Sequence, residues 1–238
     1  PVFHNITRFT TPEHASRVTF WYYFPVIIVG MFPWTGILLQ SIKASISDSR
    51  TDDMRTLIFF HVWWIFVLVF FTICKTKLVS YILPMFPALA IIIGWNIARM
   101  MAKVRYNTTF YSWIVGSGVM FTLLGAGWII GGQQLPELTF GGLVLGGLTF
   151  VLGFVALFVL WYYRDIQMAS WIHALMGATI MVVAFAFLMP AVEDRFSVKN
   201  ISQVYRTECN QEPDIYVDKF LRPGFMYYAG KPGIEMLP

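Results

Sequence analysis

Residues 138–163 read LTFGGLVLGGLTFVLGFVALFVLWYY, a run that contains no charged side chain. An α-helix rises 1.5 Å per residue, so about 20 consecutive apolar residues cross the hydrocarbon core of a bilayer. This run exceeds that length and is apolar throughout. It therefore predicts a helix that spans a membrane.

The rest of the chain has the same character. Hydrophobic residues make up 57% of the sequence, charged residues 13%, and the mean hydropathy is +0.63, whereas a soluble domain carries about 25% charged residues. We predict an all-α polytopic membrane protein whose membrane domain, residues 20–190, contains about six transmembrane helices. The six segments that are long and apolar enough, or nearly so, are Phe20–Ile42, Leu57–Cys74, Leu78–Ala98, Phe110–Ile130, Leu138–Tyr163 and Trp171–Pro190.

The short loops between these segments indicate the orientation. Loops 43–56, 99–109 and 164–170 fall on one side and hold seven Lys or Arg residues, while the opposite short loops hold two. Basic loops face the cytoplasm in most membrane proteins. We therefore expect residues 1–19 and 191–238 to lie on the outer side of a bacterial inner membrane.

The C-terminal tail, residues 191–238, differs in composition from the membrane segments. It mixes charge with short β-prone runs at Ile215–Phe220, Phe225–Ala229 and Ile234–Leu237. Because 48 residues are too few to bury a good core, we expect the start of a small α/β outer domain, truncated here. The chain is accordingly predicted to be a piece of a longer protein.

Several classes of site are not indicated by the sequence. The net charge is +4, but the basic residues are scattered over loops without a basic stripe, so no nucleic-acid partner is expected. The two cysteines, Cys74 and Cys209, lack metal-ligand spacing, and free thiols are favoured over a disulfide. His61 and His173 are expected to be hydrogen-bonded histidines near the cytoplasmic ends of helices. Four-residue glycine spacing predicts close helix packing at Gly127, Gly131, Gly142 and Gly146.

The stretch KTKLVSYILPMFP, residues 75–87, is the most informative for chemistry. Lys75 and Lys77 occupy a short turn on the side that is poor in basic residues. Tyr81 follows Lys77 by four positions, so the two share a helix face, and the two prolines free backbone carbonyls that need partners. These groups suit a lipid phosphate. The alternative is that both lysines are interfacial anchors whose ammonium groups extend to water.

A second polar group precedes the first predicted membrane segment. RFTTPEHASR leads into the aromatic run FWYYFP at residues 20–25. Its charged groups can bind phosphate and sugar hydroxyls, and its tyrosines can stack on a sugar, although an interfacial aromatic belt has the same composition. The candidate residues are Arg8, Glu13, His14, Tyr22 and Tyr23.

Three of these stretches resemble one known family. KTKLVSYILPMFPALAIIIGW, at 75–95, resembles the lysine–leucine–tyrosine–proline signature of bacterial membrane glycosyltransferases, the lipid A aminoarabinose transferases and their protein-mannosyltransferase-like relatives. HNITRFTTPEHASRVTFWYYFPVIIVGMFPW, at 4–34, is similar to their outer loop and following helix. LRPGFMYYAGKPG, at 221–233, is similar to the start of their C-terminal outer domain. The resemblance covers most of the chain, in the same order.

The resemblance implies a GT-C-like fold and a definite activity. Such enzymes transfer a sugar from a polyprenyl-phosphate carrier to lipid A, a protein or a cell-envelope glycan on the outer side of the membrane. Their catalytic aspartates lie in an early outer loop of the N-terminal half, and no residue here matches them, so no catalytic residue is assigned. The cofactor stays open, with a divalent metal bound by that N-terminal half as one option.

The resemblance also assigns roles to the candidate residues. Lys75, Lys77 and Tyr81 are carried over by motif position as carrier-lipid residues, and the five residues of the N-terminal stretch are carried over more loosely, within a loop that closes over the carrier. The alternative function is a transporter or lipid flippase, because proline-interrupted helices occur in such proteins. Transporters, however, usually keep ionisable groups near the membrane midplane, and here those groups cluster at helix ends.

Overall fold

The structure is a computed structural model of the 238-residue chain. It describes residues 20–47, 54–74, 77–102, 108–208, 216–217, 222–230 and 234–235. The predicted site residues Arg8, Glu13, His14 and Lys75 lie outside the described residues. The described part of the chain is mostly helical.

Within the described residues, the membrane part contains seven α-helices. They are α1 (Tyr23–Gly30), α2 (Thr35–Ser47), α3 (Met54–Ile73), α4 (Phe86–Ala102), α5 (Thr108–Gln133), α6 (Thr139–Phe158) and α7 (Ile166–Val183). Tighter 3₁₀ turns at Phe20–Tyr22, Val79–Met85 and Pro136–Leu138 precede α1, α4 and α6, and wider π turns at Val159–Tyr163 and Ala184–Leu188 follow α6 and α7.

In the described part of the chain, five continuous helical stretches are long and apolar enough to cross a membrane. They are Met54–Ile73, Val79–Ala102, Phe110–Gln133, Pro136–Tyr163 and Ile166–Ala191. Each overlaps one of the predicted segments, so the prediction of an all-α polytopic membrane protein is confirmed. The many large apolar side chains exposed on these helices are what a helix surface in contact with lipid requires.

The prediction of one continuous helix for the first segment, Phe20–Ile42, is wrong. The structure has two helices there, α1 and α2, bent by 102° at the turn Met31–Trp34. Pro33 has no backbone N–H and its ring clashes with the preceding helical turn, so a helix cannot continue unchanged through it. The pair is a broken span or a re-entrant loop, which gives the described chain five membrane crossings, or six if the bent pair counts as one.

Polar side chains fix α2 to two neighbouring helices. Asn96 of α4 donates from Nδ2 to Ser41 Oγ at 3.1 Å. On α3, Trp64 Nε1 donates to His61 Nδ1 at 3.0 Å, so Nε2 carries the imidazole hydrogen and donates to Ser45 Oγ at 2.8 Å. The prediction that His61 is a hydrogen-bonded structural histidine is confirmed.

A backbone-to-backbone contact joins α2 to α5. A Cβ atom added at Gly36 would lie 2.3 Å from the backbone nitrogen of Ser117, and one added at Gly116 would lie 2.3 Å from the carbonyl oxygen of Gly36. Small residues permit this approach, which is a common way for helices to associate in lipid. Close packing was predicted at other glycines, among them Gly127 and Gly131. An added Cβ at either has nothing within 4 Å, so the prediction of close packing is wrong for this pair.

The chain divides into two compact units. The first comprises Pro1–Trp128 and Gly146–Ile180, and the second comprises Ile129–Leu145 and Met181–Pro238. The core of the first unit contains fully buried side chains from α2, the turn before α4, α5 and the π turn after α6, among them Ile37, Ile82, Trp113 and Leu160. In the second unit, a Cβ at Gly132 would lie 2.9 Å from Gly142 Cα, so Gly142 packs closely, as predicted.

The tail of the second unit alternates helix and strand. After α8 (Met189–Phe196) come α9 (Lys199–Glu208), β1 (Tyr216–Val217), α10 (Arg222–Ala229) and β2 (Ile234–Glu235). The two short strands pair in parallel, with Tyr216 opposite Ile234. Each strand is only two residues long, so the α/β outer domain stays a prediction.

One predicted strand in the tail is a helix. Phe225–Ala229 belongs to α10, which carries Pro223 near its start, where proline is favoured. Phe225 and Ala229 are four residues apart, so they lie on one helix face, and they pack with Val198 and Tyr205 in a small core. The spacing of the buried residues is therefore helical, and the strand prediction is wrong here.

Candidate functional site

Four of the predicted site residues lie in one region of the first unit. The ammonium Nζ of Lys77 lies 5.9 Å from the ring centroid of Tyr23. The rings of Tyr22 and Tyr23 meet edge to face at 5.1 Å, and Tyr81 packs on Phe71 of α3 at 5.1 Å. The structure thus brings together the start of α1, the end of α3 and the turn before α4.

Lys77 is placed by the end of helix α3. The last carbonyls of a helix have no N–H partners within it. Lys77 Nζ donates to the carbonyl oxygens of Thr72 and, at 3.1 Å, of Cys74. A lysine here also complements the negative end of the helix dipole. The ammonium is therefore half-buried and bonded to backbone, which differs from the water-exposed ammonium that the anchor alternative assumes.

Tyr23 has an unusual environment for a tyrosine. It is 1% exposed, and its hydroxyl lies near the backbone of Leu78 without a hydrogen-bond partner in the described part of the chain. Leaving a buried hydroxyl unpaired costs about 1–3 kcal/mol. A ligand that offers an acceptor to this hydroxyl would recover that energy.

An apolar cleft opens between α1 and α3, next to the cation. Its volume is about 230 Å³. Because Tyr23 belongs both to the cleft wall and to the contact with Lys77, the apolar space and the positive charge are adjacent. The lining residues are Trp21, Tyr23, Phe24, Ile27, Leu68, Val69, Thr72 and Ile73.

Neighbouring groups add little reactivity to this region. Cys74 is a buried free thiol; burial raises the pKa of this thiol, and the nearby Lys77 ammonium only partly offsets the effect. A protonated thiol is a poor nucleophile and a poor metal ligand. Among the described residues, no group of three or more His, Cys, Asp or Glu side chains is placed to hold a metal ion.

Sequence reasoning misjudged His173. The structure buries this side chain completely, because the rings of Trp34, Trp113 and Phe121 lie around it with centroids 5.0–5.5 Å from the imidazole. Nδ1 donates to the carbonyl oxygen of Ala169 at 2.8 Å, but Nε2 has no partner within the described residues. The expected interfacial, fully hydrogen-bonded histidine is therefore wrong.

The fold and the region around Lys77 together define a class of protein: a polytopic membrane protein with a cationic group beside an apolar cleft. No protein-family model matches the chain. The fold is similar to the crystal structure of ArnT from Cupriavidus metallidurans bound to undecaprenyl phosphate, with a TM-score of 0.74 over 98% of this chain and 42% of that chain, at 19% identity. The architecture is therefore GT-C-like.

Sequence comparison identifies particular relatives. An undecaprenyl phosphate-α-4-amino-4-deoxy-L-arabinose arabinosyl transferase from Pectobacterium atrosepticum is 32% identical over 64% of this chain and 28% of its own length. One from Proteus mirabilis is 25% identical over 90% of this chain and 38% of its own length. The chain thus spans well under half of these relatives. The resemblance drawn from the motifs is confirmed: the chain is related to part of the bacterial polyprenyl-phosphate-sugar transferases.

Proposed function

We propose that this chain is part of a membrane glycosyltransferase that moves a sugar from a polyprenyl-phosphate carrier to a lipid acceptor such as lipid A. The names of the relatives support 4-amino-4-deoxy-L-arabinose as the sugar and undecaprenyl phosphate as the carrier. The observation that carries the proposal is the Lys77 ammonium over Tyr23 at the edge of an apolar cleft. In such a carrier, the phosphate matches the ammonium and the long isoprenoid chain matches the apolar cleft.

The cleft and the ammonium take different parts of the carrier. The part of the isoprenoid chain nearest the phosphate occupies the space between α1 and α3, where each buried methylene contributes about 0.8 kcal/mol. An ammonium has three N–H donors, and Lys77 uses two of them on backbone carbonyls. The third can reach a phosphate oxygen while both cap bonds remain, and the Tyr23 hydroxyl can donate to a second oxygen.

The same contacts can assist the reaction. During transfer, the bond between the anomeric carbon and the carrier phosphate oxygen breaks, a new glycosidic bond forms to the acceptor oxygen, and negative charge builds on the leaving phosphate. Lys77 stabilises that charge in a site where fixed donors act strongly. The base that takes the acceptor proton is expected in the N-terminal half, as the resemblance implies. Arg8, Glu13, His14 and Lys75 are proposed carrier or sugar contacts on the resemblance alone.

The transporter alternative finds no support in these observations. The relatives reported above carry transferase names. Two polar groups within the bundle, Ser41 with Asn96 and Ser45 with His61, form hydrogen-bonded pairs between helices. A glycosyltransferase remains the function that the site supports best.

The proposed enzyme lies in a bacterial inner membrane with both flanks of this chain outside. The charge difference between the short loops supports this orientation. We expect a membrane-impermeant maleimide to label Cys209 in intact cells when Cys74 is replaced. Ser49→Cys in a cysteine-free background is the matched cytoplasmic control and should react only after lysis. Labelling of Cys209 only after lysis would contradict the proposed orientation.

A stability–affinity comparison at Tyr23 tests the proposed site. Tyr23→Phe removes a buried hydroxyl that has no partner among the described residues, so the melting temperature of the ligand-free full-length protein should stay the same or rise. The affinity for undecaprenyl phosphate should fall about tenfold, because one hydrogen bond to a charged group is worth roughly 1.5 kcal/mol.

Tyr111→Phe, at an exposed position on α5, is the control for loss of a tyrosine hydroxyl. It should change neither the melting temperature nor the affinity for undecaprenyl phosphate. Unchanged affinity in Tyr23→Phe would remove the hydroxyl from the phosphate site. If the wild-type full-length protein neither binds undecaprenyl phosphate nor transfers a sugar from it, the proposed function itself is wrong.

A further inference from the structure

The turn between α1 and α2 is held by aromatic contacts from two other helices. Trp34 stacks on His173 of α7 with ring centroids 5.0 Å apart. Phe32 meets Phe121 of α5 edge to face at 5.9 Å. The residues that form the 102° bend are therefore packed against α5 and α7, which are separated from the turn by long stretches of sequence.

His173 is the centre of this group. Besides Trp34, its ring lies 5.5 Å from the rings of both Trp113 and Phe121. One helical turn further on, Gly177 has no side chain, and a Cβ there would lie 3.2 Å from Pro33 Cδ. Two positions on one face of α7 thus contact the turn. The imidazole of His173 stacks on Trp34, and Gly177, which has no side chain, lets Pro33 approach.

The group is not arranged for maximum stability. His173 Nε2, Trp113 Nε1 and Ser117 Oγ are buried without hydrogen-bond partners among the described residues. Replacing such a polar group by an apolar one of the same shape is often neutral or stabilising. Local choices that cost stability occur most often where function requires a particular arrangement.

The bend controls where α1 points. Within α1, Tyr23 is the buried side chain, and the remaining residues are half-buried or exposed. Tyr23 precedes Met31 by eight residues, so a rotation of about 10° at the turn moves Tyr23 by roughly 2 Å over about 12 Å of helix. That shift is larger than a hydrogen bond tolerates.

We infer that His173 is a positioning residue: by stacking on Trp34 it fixes the bend between α1 and α2 and so holds Tyr23 beneath Lys77. The effect on ligand binding rests on the proposed function, whereas the effect on the bend does not. His173 itself touches neither the cleft nor Lys77 in the contacts described above, so it acts on the site only through α1.

Spin-label distances on the full-length, ligand-free protein test the bend directly. Labels replace Phe24 on α1 and Val62 on α3, both exposed, in a background without native cysteines. His173→Ala should broaden the distance distribution by several ångströms. His173→Phe keeps the stacked ring and should retain the wild-type distribution. Met176→Ala removes an equally buried side chain from the same helix and is the control for general loss of packing.

A second variant keeps the test decisive if His173→Ala does not fold. Gly177→Val adds atoms where Pro33 sits and should shift the mean distance rather than only broaden it. The inference is overturned if the folded variants at 173 and 177 keep the wild-type distribution, or if Met176→Ala broadens it as much as His173→Ala does.

Binding supplies the functional readout. His173→Ala should raise the Kd for undecaprenyl phosphate about tenfold and leave kcat at saturating donor within about twofold, because the reacting groups are unchanged. His173→Phe should restore the wild-type Kd. Distances that change without any change in Kd would show that α1 does not contribute to carrier binding and would overturn the link to the site. Failure of wild-type protein to bind the carrier would refute only the proposed function.

Discussion

Replacing Lys77 by alanine is expected to weaken the binding of undecaprenyl phosphate to the full-length protein by ten- to a hundredfold. A charge-assisted contact between an ammonium and a phosphate is worth about 1.5–3 kcal/mol, which corresponds to that range in Kd. The ammonium is half-buried, lies over the Tyr23 ring and is held by backbone carbonyls. It is therefore preorganised, and little entropy is lost when it meets the ligand.

The second role of Lys77 requires its own control. Because Lys77 also caps α3, its removal should lower the melting temperature slightly, by an amount that corresponds to about 0.3–1 kcal/mol. Lys43→Ala, at an exposed lysine on α2, tests for a general effect of losing one positive charge and should leave the Kd unchanged. Titration calorimetry or microscale thermophoresis with undecaprenyl phosphate in detergent measures the affinity.

An arginine at this position separates charge from geometry. A guanidinium keeps the charge but presents its donors as a planar fork, so Lys77→Arg should recover part of the affinity while disturbing the cap on Thr72 and Cys74. If Lys77→Ala folds, inserts and binds the carrier as well as Lys43→Ala does, Lys77 is an interfacial anchor. The phosphate contact proposed for it must then be abandoned.

Composition and length were enough to predict the membrane helices. Each of the five continuous spans follows from a long run of apolar residues, because no other structure satisfies the backbone of such a run in lipid. The break at Met31–Trp34 was only partly predictable. Pro33 indicates a disturbance, but its size depends on His173, Gly177 and Phe121, which approach the turn from distant parts of the sequence.

The packing of glycines shows the same limit. A four-residue spacing indicates that two glycines share a helix face, but it does not say which face meets another helix. Gly127 and Gly131 have the spacing and face open space, whereas Gly36 has no such partner in sequence and makes a close contact with α5. The contact becomes visible only when both helices are placed.

The candidate site was predictable to a similar extent. The motif pointed to Lys77 and Tyr81, and both lie in the region that the structure brings together. Tyr23 was one of several aromatic residues consistent with an interfacial belt. Its burial and its unpaired hydroxyl depend on how α1 is bent back over the end of α3, which local sequence patterns do not encode.

The contact at Gly36 leads to the second large expected effect. Gly36→Ala should lower the free energy of unfolding of the full-length protein by about 3 kcal/mol or prevent folding, near the upper end of the usual cost of overpacking. The added Cβ would lie 2.3 Å from the Ser117 backbone nitrogen and 2.5 Å from its Cα. These are backbone atoms in the middle of a helix, so no side-chain rotation can relieve the clash, and α2 must move away from α5.

Gly127→Ala is the matched control. Gly127 is also a helical glycine, on α5, but nothing lies within 4 Å of its added Cβ. Alanine favours a helix over glycine by up to about 1 kcal/mol, so this variant should be as stable as the wild type or slightly more stable. Thermal unfolding in detergent compares the two variants under one condition. It is measured as the loss of the monodisperse gel-filtration peak on heating.

The outcome also separates two views of how α2 is held. If Gly36→Ala unfolds at the same temperature as the wild type, the backbone contact with α5 contributes little to stability. The hydrogen bonds from Asn96 and His61 must then fix α2 on their own. If it is destabilised as expected, the helix is fixed on two sides, by hydrogen bonds to α3 and α4 and by close backbone packing on α5. In that case α2 is the immobile arm of the bent pair, and any motion at Met31–Trp34 must appear in α1, the arm that carries Tyr23.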